Sequence, residues 1–398
     1  MRAETQALGR AHWLIGAVAF SKIGALSYTV VMTWAVSQVA GNESVGWINA
    51  AAGAATVLVG FFATFWLDRF DRRLLLLLFD AVSAVVCLIA AAIAALAPAG
   101  GVVLIALAIA VTTSSVASLY APTSRALIPS VVPPEGLERF NSVYTGFGEI
   151  SRATGPALGT LLLAAGGADA FPLSLLANAV SFLLSLWFTL RLPSAPSRRR
   201  DEESKKSALF VGLRYITGHP GLRGEVIGAL GINFFLTSTT FVLLNRISET
   251  GSEGYVFGLA NLFEALGAVT AAVTAAFTAS HLRGARASQL MMPIAIVLLL
   301  CLIDGIWPTI VSLTLMAALV TIYNVVLFSR LQREIPPDKM GRVIAVVTTG
   351  SAALMPVGNL VFANLSTALT SVALVWITSA GLAIAGVIAG FSTSCDIA

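Results

Sequence analysis

The sequence predicts an all-α integral membrane protein with twelve transmembrane helices arranged as two pseudo-symmetric six-helix bundles. Three observations carry that expectation. The 398 residues are 57% hydrophobic and 11% charged, with a mean hydropathy of +0.87, whereas soluble domains average about 45–50% apolar and about 25% charged residues. The Lys and Arg residues fall almost entirely into alternate connections between apolar runs, and a short motif recurs half a chain apart. A soluble enzyme, a disordered chain and a secreted disulfide scaffold cannot hide this much apolar surface. A β-barrel would alternate polar with apolar residues, which these long runs do not.

A hydropathy window of about 19 residues places the first six spans at 13–38, 46–67, 74–96, 102–124, 139–165 and 171–191. A second six follow at 224–245, 254–279, 288–304, 306–328, 342–368 and 371–391. A helix satisfies its own backbone in hydrocarbon and crosses about 30 Å in about 20 residues. The run that follows Arg2 and Arg10 is too long for a secretory signal, so it reads as an uncleaved first span.

Charge sets the orientation. With both termini cytoplasmic, 21 of the 24 Lys and Arg residues lie in internal segments, eight of them between residues 191 and 223. Arg246 falls in an external loop on this reading, while Lys22 and Arg152 lie within spans. Positive residues are retained on the cytoplasmic side, so the expectation is a multi-pass protein of the cell (inner) membrane. The net charge of +4 therefore reports topology, and no solvated basic patch points to nucleic acid.

The polar stretch Pro193 to Lys206 separates residues 1–192, the first bundle, from 223–398, the second. Within the linker, 193–222, Ser207 to Tyr215 has the pattern of a short helix on the membrane surface. Pro133-Pro134-Glu135 with Arg139 returns as Pro336-Pro337-Asp338 with Arg342 at an offset of 203, and Gly155 maps onto Gly358 by the same shift. Parallel six-helix repeats of this kind are the plan of the major facilitator fold.

The chain resembles the major facilitator superfamily over essentially its whole length. Within that superfamily it resembles the bacterial branch of proton-coupled drug, macrolide and siderophore exporters. The likeness is carried by Asp68-Arg69-Phe70-Asp71-Arg72-Arg73 after span two, by Arg152 to Gly159 with its Gly155-Pro156 step, by Gly212-Leu213-Arg214-Tyr215 with His219-Pro220, and by Leu331-Gln332 through Gly341-Arg342-Val343. It implies a secondary-active exporter of an amphipathic small molecule, coupled to protons by antiport, working as a monomer without cofactor. It also implies that Asp68, Arg69, Arg72, Arg73, Arg139, Arg342, Gly155, Pro156 and Gly159 serve gating. In that picture Asp68 meets the amide-rich N-terminus of span eleven, an arrangement worth about 0.3–1 kcal/mol at an exposed helix end. Two departures stand out: Ala25 follows Ser21-Lys22-Ile23-Gly24 where relatives often carry an acidic residue, and 102–124 holds no charge.

An ionisable group at mid-bilayer costs about 2.5–3.5 kcal/mol on insertion scales, so it faces water or a partner. Lys22, Glu149, Arg152 and Glu264 are the clearest such groups, whereas Asp80 stands nearer a span end and is easier to hydrate. Glu149 and Arg152 are three residues apart and share a helical face; with Glu264 they are the candidates for proton coupling. Lys22 suits an anionic or zwitterionic cargo. Tyr28, Trp34, Gln38, Asn233, Phe235, Asn245, Tyr323 and Asn324 interrupt spans one, seven and ten and are the further candidates for a substrate-lining wall. Each of these residues also admits a purely structural role in helix packing. No phosphate-binding loop, metal spacing or enzyme motif is present, and Cys87, Cys301 and Cys395 show no pairing pattern. The alternatives to a drug or siderophore exporter are a lysophospholipid or lipid transporter and, from another class, a non-transporting membrane sensor or scaffold.

Overall fold

The computed structural model describes residues 2–67, 70–96, 101–133, 136–194, 212–278 and 285–394. Asp68, Arg69, most of the linker and Cys395 lie outside the described residues, as does the side chain of Arg139. The helices are α1 (Arg2–Leu67), α2 (Arg72–Leu96), α3 (Val102–Val131), α4 (Leu137–Gly166) and α5 (Ala170–Thr189), followed by α6 (Pro220–Phe235) and α7 (Ser238–Thr250). Then come α8 (Tyr255–Phe277), α9 (Met291–Leu298), α10 (Ile306–Glu334), α11 (Pro337–Ala368) and α12 (Ser371–Ser394), with no strand among the described residues.

Twelve crossings follow from these elements. Nine described helices are long and apolar enough to cross a membrane. α1, at 66 residues, would measure about 100 Å as one rod against about 30 Å of hydrocarbon, and it breaks at Gly41 (φ 75, ψ 173), a conformation open in practice to glycine alone. It therefore supplies spans one and two. The 30-residue α4 is the polar crossing, and the short apolar stretch Ala287–Leu302, in which α9 is flanked by single 3₁₀ turns, is the ninth. α6 and α7 together form span seven, Gly221–Thr250.

Two boundaries differ from the sequence expectation, and both change where a charge sits. α3 runs to Val131, so Arg125 belongs to the fourth crossing rather than to a connection. α7 runs to Thr250 and buries Arg246 at 6% exposure, so this residue is not in a loop. Its guanidinium pairs with Glu249 at 3.4 Å and donates to Ile303 O. Glu249 in turn accepts from Ser371 N (3.2 Å) and Ser371 Oγ (2.6 Å), placing a carboxylate at the N-terminus of α12.

The chain forms two compact units: Met1–Arg200 with Gly254–Leu262, and Asp201–Glu253 with Phe263–Ala398. In the first, α1 packs against α3, α4 and α5, and α2 against α3 and α5. α2 shows the inverted polarity that lipid demands. Leu74, Leu78, Val82, Val85, Ile89 and Ile93 form an exposed apolar stripe, while Asp80, Ser83 and Cys87 are buried on the opposite face. In the second unit, α6 packs against α11 and α12, and α9 against α10 and α12.

The duplication extends to helix contacts. A Cβ added at Gly155 would lie 2.5 Å from Leu26 Cβ and 3.2 Å from Ile23 O, and one added at Gly358 would lie 2.5 Å from Thr237 Oγ1 and 2.7 Å from Phe234 O. Gly155 and Gly358 are 203 apart, while Ile23 and Phe234, like Leu26 and Thr237, are 211 apart. Each unit thus crosses its first and fifth spans at the same glycine. Gly155→Ala and Gly358→Ala should each destabilise their unit by about 1–3 kcal/mol through overpacking. Gly146→Ala, which meets nothing within 4 Å, should be neutral or gain helix stability. Thermal unfolding of the detergent-solubilised variants checks this; equal losses at all three positions would count against the crossing contact.

Candidate functional site

Small residues bring the first charged cluster together. Gly155 and Gly159 let α4 approach the backbone of α1 at Ile23 O and Ser27 O, the latter only 3.0 Å from a Cβ placed at Gly159. Pro156 lies inside α4 and has no N–H to offer Arg152 O, loosening the turn above the ion pair. Two turns before Gly155, Lys22 Nζ donates to Gly148 O at 2.8 Å. That bond uses one of three ammonium protons. Lys22 is half-buried and feels the charges of Glu149, Arg152 and Arg125.

Glu149 and Arg152 pair at 3.7 Å, with side chains 35% and 50% exposed. An exposed pair of this kind contributes about 0–1 kcal/mol, so it can open without endangering the fold. The cluster holds three cations, Lys22, Arg125 and Arg152, against one carboxylate, a balance that favours an anionic ligand.

The remaining expected lining residues divide. Gln38 and Asn324 are exposed, and Trp34 is half-buried, stacked on Phe257 at 6.3 Å within the first unit. Asn233 donates to Ala229 O within its own helix and Asn245 to Ser366 O, while Phe235 lies against Gly381. Glu264 is half-buried. Tyr28 and Tyr323 do not line an open wall. They are 2% and 1% exposed, Tyr28 against Phe171 and Tyr323 facing Gly228, because an all-apolar helix gives no sequence sign of which face turns inward.

The loop after α1 also acts locally. Asp71 caps α2 by accepting from Arg73 N (2.8 Å) and Leu74 N (3.2 Å), and Ser194 Oγ donates to its other oxygen. Arg72 donates to Ala126 O at 2.9 Å, and Arg73 to Thr189 O and Leu190 O at the C-terminus of α5, where cations are favoured.

Two buried carboxyls complete the picture. Asp80 is fully buried, contrary to the expectation that it is easily hydrated. Its position on the inner face of α2 outweighs its nearness to the helix end. Oδ2 accepts from Ser185 Oγ at 2.8 Å and Thr189 Oγ1 at 3.4 Å, while Oδ1 has no partner.

In the second unit Glu225, also fully buried, pairs with Arg330 at 2.6 Å, and Arg330 reaches Glu334 at 2.6 Å. Hydropathy had placed Glu225 and Arg330 at span ends and attached no role to either. The repeat does mark them: Leu14 and Leu127 stand 211 and 203 residues earlier, and both are fully buried in one apolar cluster of the first unit. One copy fills this position with hydrocarbon and the other with an ion pair. Arg330→Leu should cost about 3–5 kcal/mol by stranding Glu225, whereas Glu225→Leu with Arg330→Leu should restore most or all of it. A double-mutant cycle on thermal stability reads this out, and additive losses would reject the pairing.

A family model described as Major Facilitator Superfamily matches residues 13–359. The enterobactin exporter EntS of Escherichia coli is 25% identical over 282 residues, covering 68% of this chain, and so is that of Escherichia fergusonii; the match spans 65% of the length of these curated relatives. Among solved structures, a bacterial homologue of the iron transporter ferroportin superposes with a TM-score of 0.72 at 15% identity, covering 97% of this chain and 99% of that one. The D-xylose-proton symporter gives 0.71 at 13%, covering 95% and 96%, and the nucleoside transporter NupG gives 0.69 at 14%, covering 96% and 98%. At these identities the structural likeness speaks for the fold. The chain is a multi-pass membrane transporter that belongs to the major facilitator superfamily.

Proposed function

We propose that this protein exports an amphipathic, negatively charged or zwitterionic small molecule from the cytoplasm by alternating access, in exchange for inward-moving protons. The observation that carries the reading is the cationic cluster on the α1–α4 crossing. Lys22 keeps two N–H donors beyond its bond to Gly148 O, and Arg125 and Arg152 add positive charge beside it. Retaining three cations in a membrane-crossing region is costly unless they meet water or a ligand. The likeness to proteins named as enterobactin exporters supports a siderophore-class cargo and outward transport.

The positive-inside count supports N- and C-termini in the cytoplasm of an inner-membrane protein. In this reading residues 1–192 and 223–398 are the moving halves and 193–222 joins them. Glu149 is the coupling carboxylate of the first half: ionised beside Arg152 at 3.7 Å, it holds the cationic end of a zwitterionic cargo, and its protonation releases that end, so proton and cargo exclude one another as exchange requires. Glu264 serves the second half.

Lys22→Gln should lower export of an anionic siderophore probe at least tenfold, which is about 1.4 kcal/mol of lost interaction, with export of a cationic dye unaffected. Everted membrane vesicles measure both; an equal loss for the two probes would remove Lys22 as an anion contact. Glu149→Gln and Glu264→Gln should abolish the dependence of export on the pH gradient while leaving expression intact. Unchanged pH-gradient dependence in both variants would reject them as coupling groups.

A further inference from the structure

We infer that Asp80 is a proton-binding site of the first unit, loaded and unloaded through the hydroxyls of Ser185 and Tyr120 on the side of the Ser124–Tyr144 pair. The inference deepens the antiport reading and rests on it only for the use to which the proton is put.

Asp80 has no exposed surface, and its Oδ1 meets no hydrogen-bond partner. The groups around it are neutral. α5 contributes the hydroxyls of Ser185 and Thr189, and α3 contributes Tyr120, whose OH lies 3.0 Å from Ser185 Oγ. On α2 itself, Arg73 is engaged with Thr189 O and Leu190 O, Arg72 with Ala126 O, and Cys87 with Asn178. No salt bridge reaches Asp80 among the described residues. A carboxylate anion in a dry interior needs donors at both oxygens or a cation beside it. Here one oxygen is bare. A carboxylic acid needs less: its proton sits on Oδ2 and is donated to Ser185 Oγ, 2.8 Å away, and Oδ1 is then a neutral carbonyl oxygen, which costs far less to leave bare than a charged one.

A second hydroxyl pair stands beyond this one. One turn beyond Tyr120, Ser124 Oγ lies 3.0 Å from Tyr144 OH, on α4 and half-buried, five residues before Glu149. Each hydroxyl both donates and accepts. Unloading breaks the Asp80 O–H bond as Ser185 Oγ takes that proton and passes its own to Tyr120. Tyr120 gives a proton to an intervening water, that water passes one to the Ser124–Tyr144 pair, and Tyr144 releases one proton to solvent. Asp80 is left as a carboxylate, every hydroxyl is restored, and reversal reloads the site with no other reactant.

Infrared spectra of the full chain in liposomes, titrated with pH, test this without any cargo. A protonated-carboxyl C=O band should titrate in the wild type, disappear in Asp80→Asn and persist in Glu149→Gln and Glu264→Gln. Should Asp80→Asn fail to fold, Ser185→Ala keeps the carboxyl and should displace the midpoint of the band by about one pH unit, the effect of one lost hydrogen bond to a charged group. Tyr120→Phe should slow the response of the band to a pH jump at least tenfold. A band that survives in Asp80→Asn, a midpoint unmoved in Ser185→Ala, or a wild-type band that sodium abolishes at constant pH would each overturn the site; the last would make it a cation site. A band that titrates as expected in protein showing no pH-driven flux upholds the site and removes the antiport reading instead.

Discussion

In hydrocarbon a carbonyl, hydroxyl or charge has no solvent to fall back on, and each must find its partner inside the protein. This constraint orders the molecule from the single helix upward. It sends the leucines and valines of α2 outward and Asp80, Ser83 and Cys87 inward. It makes the serines and threonines of the spans bond to carbonyls of their own helices, as Thr113, Ser151 and Thr314 do. It also explains why α1 and α4 meet through Gly155 and Gly159: with lipid as apolar as any side chain, close backbone approach and internal hydrogen bonds have to supply the attraction. The Lys22–Gly148 bond is a product of that approach, so the charged cluster depends on the packing of small residues below it.

The duplication shows which contacts the architecture requires and which it leaves free. The glycine crossing is kept in both units. Gly24 against Asn178 becomes Phe235 against Gly381, at the same offsets of 211 and 203, so the small partner has changed helices while the fit has survived. Leu14 and Leu127 have as their counterparts Glu225 and Arg330. A buried ion pair gives little stability over a well-packed apolar pair, which makes its presence in one copy a sign of specialisation. The two halves share a scaffold and carry different chemistry.

Fold class, span order and the repeat were legible because they rest on long-range sums: apolar run length, the distribution of Lys and Arg, and a constant offset. Lys22, Glu149 and Arg152 were legible because a charge within an apolar run is conspicuous. What escaped depends on which way a helix faces. Hydropathy reports depth but not direction, so Tyr28 and Tyr323 read as cavity wall although both are buried within their units. Asp80 read as wet because it is close to a helix end, and Glu225 and Arg330 passed as boundary charges. Arg125 and Arg246 moved because polar residues continue α3 and α7 past the point where the apolar signal fades. The repeat offset recovers Glu225 and Arg330, since their counterparts are leucines. For Asp80 no comparable signal exists, because Ser185 and Tyr120 lie 105 and 40 residues away along the chain.

The break at Gly41 decides how tightly the first two crossings are joined. A single residue with φ 75 connects the first crossing to the second, so the two helices meet at one backbone position with no loop between them. The first two crossings are thereby built as one hairpin. A side chain at that hinge would meet open space but strain the backbone, and so disturb the hairpin itself before any cargo is bound or any proton moves.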